Sequence, residues 1–450
     1  MISRRDFVKQ TTIATTAAVV MPSQFLFGNA TEGKVRFAFI GTGLRGQDHV
    51  ELALRRTDVE IVAICDTQQL MIDNTLQLFK KAEKPLPKIF TGDNYAYRKL
   101  LELKNIDAVI ISTPWEWHCT MAMDAMQAGK HVGCEVIAGA TIDEMWQLVQ
   151  TSEQTKMNYM MLENVCYRRD VMAIMNMVRQ GMFGEMVHLQ GGYQHDLREV
   201  KFNDGKQPYG GGVEFGDKGF SEAKWRTQHS VNRNGDLYPT HGVGPLAMMV
   251  DINRGNRFVS LVSYASKTRG LHNYIVNKGD ENHPNAKVRF KLGDVVTTMI
   301  KTQNEETILL QHDTSLPRPY SLGFRVQGTK GLWMDVNKSL YIEDVSKDAH
   351  KWEEAKPYLE KYDHPLWKKF ANDTVGAGHG GMDFFVLHQF VEAIKQNKPT
   401  PMDVYDAAVW CAITPLSEQS IALGGANVDF PDFTKGQWMY RKNNFALDEE

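Results

Sequence analysis

Two sets of residues in this chain have the types and spacing to do chemistry. The first is Gly41-Thr42-Gly43-Leu44-Arg45-Gly46, which follows the apolar run Phe37-Ala38-Phe39-Ile40. A G-x-G-x-x-G turn between a strand and a helix lets the backbone approach a pyrophosphate, which rests on the helix N-terminus. A second apolar run ends at Asp66, twenty residues beyond Gly46. A carboxylate there accepts hydrogen bonds from the adenosine ribose hydroxyls and repels a 2′-phosphate, which favours NAD over NADP. The rival reading is a glycine-rich turn with no ligand. The second set is made of Tyr and His, which take and return protons near neutral pH. Tyr193 and His195 alternate around Gln194, so on a strand they share a face. Tyr238-Pro239-Thr240-His241 carries Pro where helices begin. The positive end of a helix there would keep His241 neutral as a base. Strand packing and a helix cap are the plain alternatives for these residues.

Such groups need elements to position them. Strand-like runs at 35–40, 60–65, 108–112, 131–135 and 158–163 alternate with helix-length segments such as 47–56, 68–81 and 121–128. That alternation predicts βαβ units and a parallel sheet, with active groups at the carboxyl ends of the strands. Three strand ends then share a crevice with the glycine turn. They are Ser112-Thr113-Pro114 with Trp115-Glu116-Trp117-His118, Glu135-Val136, and Glu163-Asn164. The nicotinamide half of a dinucleotide belongs there, although either Trp could equally serve packing. After Gly184 longer strands with period-2 alternation appear, as at 295–303, 307–314 and 322–326. They predict a largely antiparallel sheet. Residues 201–237 are rich in Gly, Asn and Lys and read as a long loop of the functional or disordered kind. Helical spacing returns at 382–396 and 404–422. The fold class is α/β. A Rossmann domain with a parallel doubly wound sheet is expected at 31–183. An α+β domain with a largely antiparallel sheet and C-terminal helices is expected at 184–450.

Composition narrows the function classes. The chain has 450 residues, 42% hydrophobic and 23% charged, enough for a large core and unlike a disordered chain. Lys plus Arg is 51 and Asp plus Glu is 54, a net charge of −3, which argues against a nucleic-acid partner. The five cysteines are too few for a disulfide scaffold and read as buried free thiols. No apolar run reaches the roughly 18 residues of a membrane span. The 14 histidines show no H-x-x-x-H spacing and the cysteines no C-x-x-C, so no metal is predicted. A G-x-S-x-G nucleophile elbow is missing too.

The first thirty residues read as an address. Ser3-Arg4-Arg5-Asp6-Phe7 precedes a mild Thr/Ala/Val stretch, and Gly28-Asn29-Ala30 offers small residues for a cut after Ala30. Adjacent arginines resemble the twin-arginine export signal, which predicts a periplasmic product and the Tat machinery as a partner. An ordinary Sec signal with a chance Arg pair is the rival. No Cys lies near Ala30, so no lipid anchor is expected. Cutting there removes three bases and one acid and moves the net charge from −3 to −5.

The Rossmann pattern, the Ser-Thr-Pro after a strand and Gly129-Lys130-His131-Val132-Gly133-Cys134-Glu135 resemble the Gfo/Idh/MocA oxidoreductases. Most members follow that Glu with Lys-Pro, the Lys being catalytic; here Val136-Ile137 follows Glu135. Gly43-Leu44-Arg45-Gly46, Trp115-Glu116-Trp117-His118, Cys134-Glu135-Val136 and Tyr238-Pro239-Thr240-His241-Gly242 resemble glycoside hydrolase family 109, along nearly the whole chain. The resemblance implies NAD-dependent α-N-acetylgalactosaminidase activity. It implies an oxidation–elimination–addition–reduction cycle at sugar carbons 1 to 3, with tightly bound NAD recycled at each turn. Gly41, Gly43, Leu44, Arg45, Gly46, Asp66, Trp115, Glu116, Trp117, His118, Glu135, Val136, Asn164 and Tyr238 would then bind the cofactor. Tyr193, His195, Arg226, Tyr238, Pro239, Thr240, His241 and Tyr320 would meet the sugar or glycan substrate. His241, Tyr193 and Tyr238 would be catalytic, with the C2 base open among Tyr193, His195 and His241. Arg226 could instead be a solvated loop residue, and His379-Gly380-Gly381-Met382-Asp383 either completes the rim or caps a helix. Oligomeric state stays open, although the antiparallel sheet face often pairs in this family. The alternatives are a periplasmic sugar or cyclitol dehydrogenase and a non-catalytic carbohydrate binder that keeps NAD structurally.

Overall fold

The computed structural model describes residues 33–446, so the expected leader lies outside the described residues. Six parallel strands build the first sheet: β1 Val35–Ile40, β2 Val59–Cys65, β3 Lys88–Phe90, β4 Ala108–Ile111, β5 His131–Cys134 and β6 Tyr159–Met161. Their order is β3-β2-β1-β4-β5-β6, so the chain reverses direction across the sheet between β1 and β4. Strands covered on both faces are apolar along their length, and β4 is buried at every position. This is why they are readable as continuous hydrophobic runs. The edge strand β3 is three residues long and half-exposed, and no apolar run announces it.

The C-terminal helices return to this sheet. The expected helical segments form as Met382–Lys395 and Val404–Ala422. Phe390 stacks on Phe37 of β1 at 5.8 Å, and Gly133 of β5 leaves the space that its ring fills. The Met161 N–H at the end of β6 donates to the Met402 carbonyl at 3.0 Å. Residues from the end of the chain thereby reach the glycine turn near its start.

The second sheet has nine strands: β7 Met186–Gln194, β8 Phe258–Ala265, β9 Val295–Thr302, β10 Thr307–Asp313, β11 Arg325–Gly328, β12 Gly331–Met334, β13 Ser339–Ile342, β14 Glu353–Glu354 and β15 Val428–Asp429. Their order is β14-β13-β12-β11-β7-β10-β9-β8-β15. Among the described residues, only β7 and β10 of this sheet pair in parallel; the other neighbours are antiparallel, as the period-2 pattern predicts.

Residues 201–237 are not a featureless loop. They fold into short helical turns, including Ser221–Lys224 and Arg226–Asn232. Phe202 and Val213 from this stretch share a small separate core with Leu271, Tyr274, Ile275 and Phe290. Half of that core comes from a helix at Gly270–Gly279, inside residues 257–345, whose sequence reads as longer strands.

One contact sets the site's geometry. The helix Thr240–Met249 lies directly on β7, with Gly242 against Gly192. A Cβ on Gly242 would stand 2.5 Å from the Gly192 nitrogen, and one on Gly191 would stand 2.8 Å from the Gly242 carbonyl oxygen. Backbone meets backbone here, so the residues before the helix and the end of β7 are held side by side.

Candidate functional site

A cavity of about 720 Å³ opens at the carboxyl ends of the parallel strands, where the strand order reverses. Gly41, Gly43, Leu44, Arg45, Asp66, Trp115, Glu116, Trp117, Glu135, Val136 and Asn164 line it. Tyr193, Arg226, Tyr238 and His241 line the same space. The two sets of chemical residues thus face one cavity.

The glycine turn has three distinct jobs. Gly41 adopts φ +85°, and a Cβ there would meet the Ser112 carbonyl at 2.6 Å. A Cβ on Gly46 would meet the Gly41 oxygen at 2.1 Å, so Gly46 allows the helix to pack on its strand and does not line the cavity. Gly43 has nothing within 4 Å of a Cβ, which leaves open space over the start of the helix Leu44–Leu54. No side chain caps that helix, so its first amides are free for an anion. Asp66 accepts the Thr42 N–H at 2.7 Å and the Gln68 N–H at 2.9 Å. The Ser112 hydroxyl is buried without a protein partner. A free helix start, open space at Gly43 and a carboxylate one strand away fit a dinucleotide with free ribose hydroxyls.

Charge inside the crevice is tightly paired. The Asp383 carboxylate, fully buried, accepts two bonds from Arg45 at 2.6 and 2.9 Å. It also accepts from Asn164 Nδ2 at 2.8 Å and pairs with His379 Nδ1 at 2.7 Å. Arg45 Nε donates to Glu135 at 2.6 Å, and His49 Nε2 lies 2.7 Å from the same oxygen. Burial alone would raise the Glu135 carboxyl, but Arg45 and His49 hold it down at about 2. Asp383 is likewise held well below the usual range by His379 and Arg45 against its burial.

The Tyr and His groups form a second cluster. The Tyr193 hydroxyl meets His195 Nδ1 at 3.2 Å, and its ring lies 4.6 Å from Tyr238 and 5.2 Å from His241. Burial pushes the Tyr193 hydroxyl up to about 12, so it is protonated at neutral pH. His241 Nδ1 pairs with Glu163 at 2.8 Å, and the Glu163 side chain is fully buried. Nε2 of His241 is thus left to the cavity. The ring is held by a buried carboxylate at the start of the helix Thr240–Met249. Arg226 opens a helix and is not a solvated loop residue. It pairs with Glu222 and sits 4.9 Å over Trp115 and 5.1 Å over Tyr238. Trp115, 6% exposed, also packs Trp225 and His229, so it combines packing with a place on the cavity wall.

Several expected residues stand elsewhere. Pro239 and Thr240 do not line the cavity, and Thr240 is fully buried with its hydroxyl unpartnered. Residues 238 and 241, three apart around the helix start, face the cavity, and the two between them turn away. His118 lines the cofactor-side cavity, but its ring is buried between the Ile137 and Thr113 carbonyls, at 2.6 and 2.7 Å. It ties two strand ends together; both ring nitrogens are engaged. His195 lines neither cavity described here but links Tyr193 to Tyr320, whose ring is 4.9 Å away. Tyr320 lines a second, larger cavity next door. The expectations singled out neither His49 nor Glu222, and left Asp383 between a rim and a cap role.

Comparison with known proteins fits this geometry. Residues 167–440 match the family model described as glycosyl hydrolase 109, C-terminal domain. Residues 35–162 match the oxidoreductase family, NAD-binding Rossmann fold. The chain is 57% identical over 452 residues to a glycosyl hydrolase family 109 protein of Stenotrophomonas maltophilia, covering 99% of both chains. It is 51% identical to an alpha-N-acetylgalactosaminidase of Tannerella forsythia, again over 99% of both. Among solved structures, a levoglucosan dehydrogenase in complex with NADH shares the fold at TM-score 0.62 and 18% identity, covering 89% of this chain and 100% of that one. The chain belongs to glycosyl hydrolase family 109, with an oxidoreductase-type Rossmann domain at its N-terminal side.

Proposed function

We propose that this protein hydrolyses α-N-acetylgalactosaminides with a tightly held, recycled NAD, and that its twin-arginine leader directs it to the periplasm. One observation carries the mechanism: the Tyr193–Tyr238–His241 cluster and the glycine turn line a single cavity. Direct displacement needs two carboxyl groups free to flank the bond. Glu135 is locked to Arg45 and His49, and Glu163 is committed to His241. These two therefore do not form such a pair.

The residues that would hold NAD are Gly43 and the following amides at the pyrophosphate, Asp66 at the ribose, and the crevice around Glu135 and Asn164. Bound there, NAD supplies reversible oxidation of a sugar carbon, which acidifies its neighbour. The protein's share is proton transfer and orientation. His241 Nε2 takes the proton from C2, because Glu163 on Nδ1 fixes the ring's orientation and tautomer. The Tyr193 hydroxyl, protonated and backed by His195 Nδ1, is the matching acid. Arg226, which packs over Tyr238 beside the cluster, orients the sugar.

The test uses purified protein with no added NAD and p-nitrophenyl α-N-acetylgalactosaminide in D₂O. Nitrophenol release with deuterium at C2 of the product and no net NADH is expected. Release without deuterium would overturn the mechanism and leave a displacing glycosidase. Free ketosugar with stoichiometric NADH would make the protein a dehydrogenase. Asp66→Ala is expected to fold but to carry about 10- to 100-fold less nucleotide, since the ribose loses charge-assisted hydrogen bonds. Nucleotide released on heat denaturation measures this, and wild-type content would contradict the assignment.

A further inference from the structure

We propose that residues 203–224 form a strap that retains the nucleotide, latched by Asn203 and offering Lys224 to the pyrophosphate; this rests on the NAD reading above. Asp217, Ser221, Glu222 and Lys224 come from this segment and line the same cavity as Gly43 and Asp66. One side chain holds the ends of the strap together. Asn203, fully buried, accepts the Phe220 N–H and the Gly205 N–H on Oδ1, each at 3.0 Å. Its Nδ2 donates to the Phe220 carbonyl at 2.8 Å and to the Pro208 carbonyl at 3.3 Å. Asn203 and Glu214 also exchange both backbone hydrogen bonds, at 3.1 and 2.9 Å. The chain thus leaves Asn203 and returns to it, as in a compact Ω-loop. Val213 and Phe215 within the strap pack in the satellite core and not in the main one. A segment with its own core opens locally without unfolding the body. Beyond Lys224 the chain is fastened to the Rossmann half. Trp225 packs on Trp115 at 5.1 Å, and Arg233 donates to the Ala140 carbonyl at 3.1 Å.

The charges around the cavity give Lys224 its role. Six carboxylates line it (Asp66, Asp93, Glu116, Glu135, Asp217 and Glu222) against three Lys or Arg side chains. A pyrophosphate would add further negative charge. Arg45 is already bound to Glu135 and Asp383, and Arg226 to Glu222. Lys224 is the third cation, and among the described residues no carboxylate pairs with it. It is exposed, so water solvates its ammonium until a phosphate takes that place. The amides that follow Gly43 and one ammonium from the strap would then share the phosphates. A nucleotide held in this way leaves when the strap opens, which suits a cofactor that stays bound from one turnover to the next.

The experiment dialyses the purified holoprotein against NAD-free buffer and follows the nucleotide retained over time. Asn203→Ala removes the four side-chain hydrogen bonds of the latch, and Lys224→Gln removes the charge at an exposed position. Each is expected to release nucleotide about tenfold faster than the wild type or more, without a matching fall in the global denaturant midpoint. Raising salt from about 0.1 to about 1 M cuts the Debye length from about 10 Å to about 3 Å. It should speed release from the wild type more than from Lys224→Gln. Wild-type release rates in both variants would overturn the strap. Fast release from Asn203→Ala, with a wild-type rate and salt response in Lys224→Gln, would remove Lys224 from the phosphates. If Asn203→Ala does not fold, Lys224→Gln decides, and a wild-type rate and salt response there overturns the proposal. A wild type that carries no nucleotide and binds no added NADH, followed by its fluorescence, would instead overturn the NAD reading itself.

Discussion

The His241→Ala protein is expected to keep its fold and its nucleotide while kcat falls by about 10²- to 10⁴-fold, the usual worth of a positioned general base. The sharper variant is Glu163→Gln. Gln preserves the shape, and its Oε1 can still accept the Val165 N–H that Glu163 accepts at 3.0 Å. Its amide would donate to His241 Nδ1, where the carboxylate now accepts. The ring would then carry its proton on Nε2, the atom needed as the base. Loss of activity in Glu163→Gln should therefore approach that of His241→Ala although His241 is intact. The two losses should not add, because both remove the same working unit. Steady-state kinetics on the nitrophenyl glycoside, with nucleotide content measured in parallel, checks this. Wild-type kcat in Glu163→Gln would show that His241 needs no oriented tautomer and would remove it as the C2 base.

That pairing also shows where the sequence falls silent. The Rossmann half is legible because its strands are buried on both faces and its turns need glycine, features that are local in the chain. Asp66 is legible for the same reason: it stands at a fixed distance after a known motif. Glu163 and His241 are 78 residues apart, and Asp383 and Arg45 are 338 apart. No periodicity joins such pairs: the packing of the helix Thr240–Met249 on β7 sets the place of His241, and the closing of the C-terminal helix onto β1 joins Asp383 to Arg45. The inward turn of Thr240 could have been foreseen, since helical spacing puts 238 and 241 on one side and 240 on another. The helix Gly270–Gly279 could not: its apolar residues pack a satellite core formed with residues 201–237, which read as a loop.

The long-range pair should be the most costly to break. Asp383→Asn removes a fully buried charge that holds Arg45 and Asn164. Breaking such a pair leaves the partner buried and undercompensated, a cost of about 3–5 kcal/mol. Asp48, 3.8 Å from Arg45 with a half-exposed side chain, is the contrast: Asp48→Asn should cost about 0–1 kcal/mol. Acid should act through the same groups. Glu135 has its folded value lowered from 4.5 to about 2, and Asp383 is lowered further. A depressed carboxylate contributes its stability above its unfolded value and loses it as pH falls through the folded one. The contribution of these two groups is thus complete above about pH 5 and falls steadily toward pH 2, with Glu135 accounting for on the order of 3 kcal/mol. Denaturant midpoints measured from pH 7 down to pH 3 check both statements. Asp383→Asn should be displaced at neutral pH and lose less on acidification than the wild type, having already given up one of the two carboxylates. It should also release nucleotide, because Arg45, Asn164 and, through Arg45, Glu135 are all placed by Asp383 at the cofactor crevice. A variant with the wild-type midpoint, acid slope and nucleotide content would mean that the glycine turn holds its shape without the C-terminal helix.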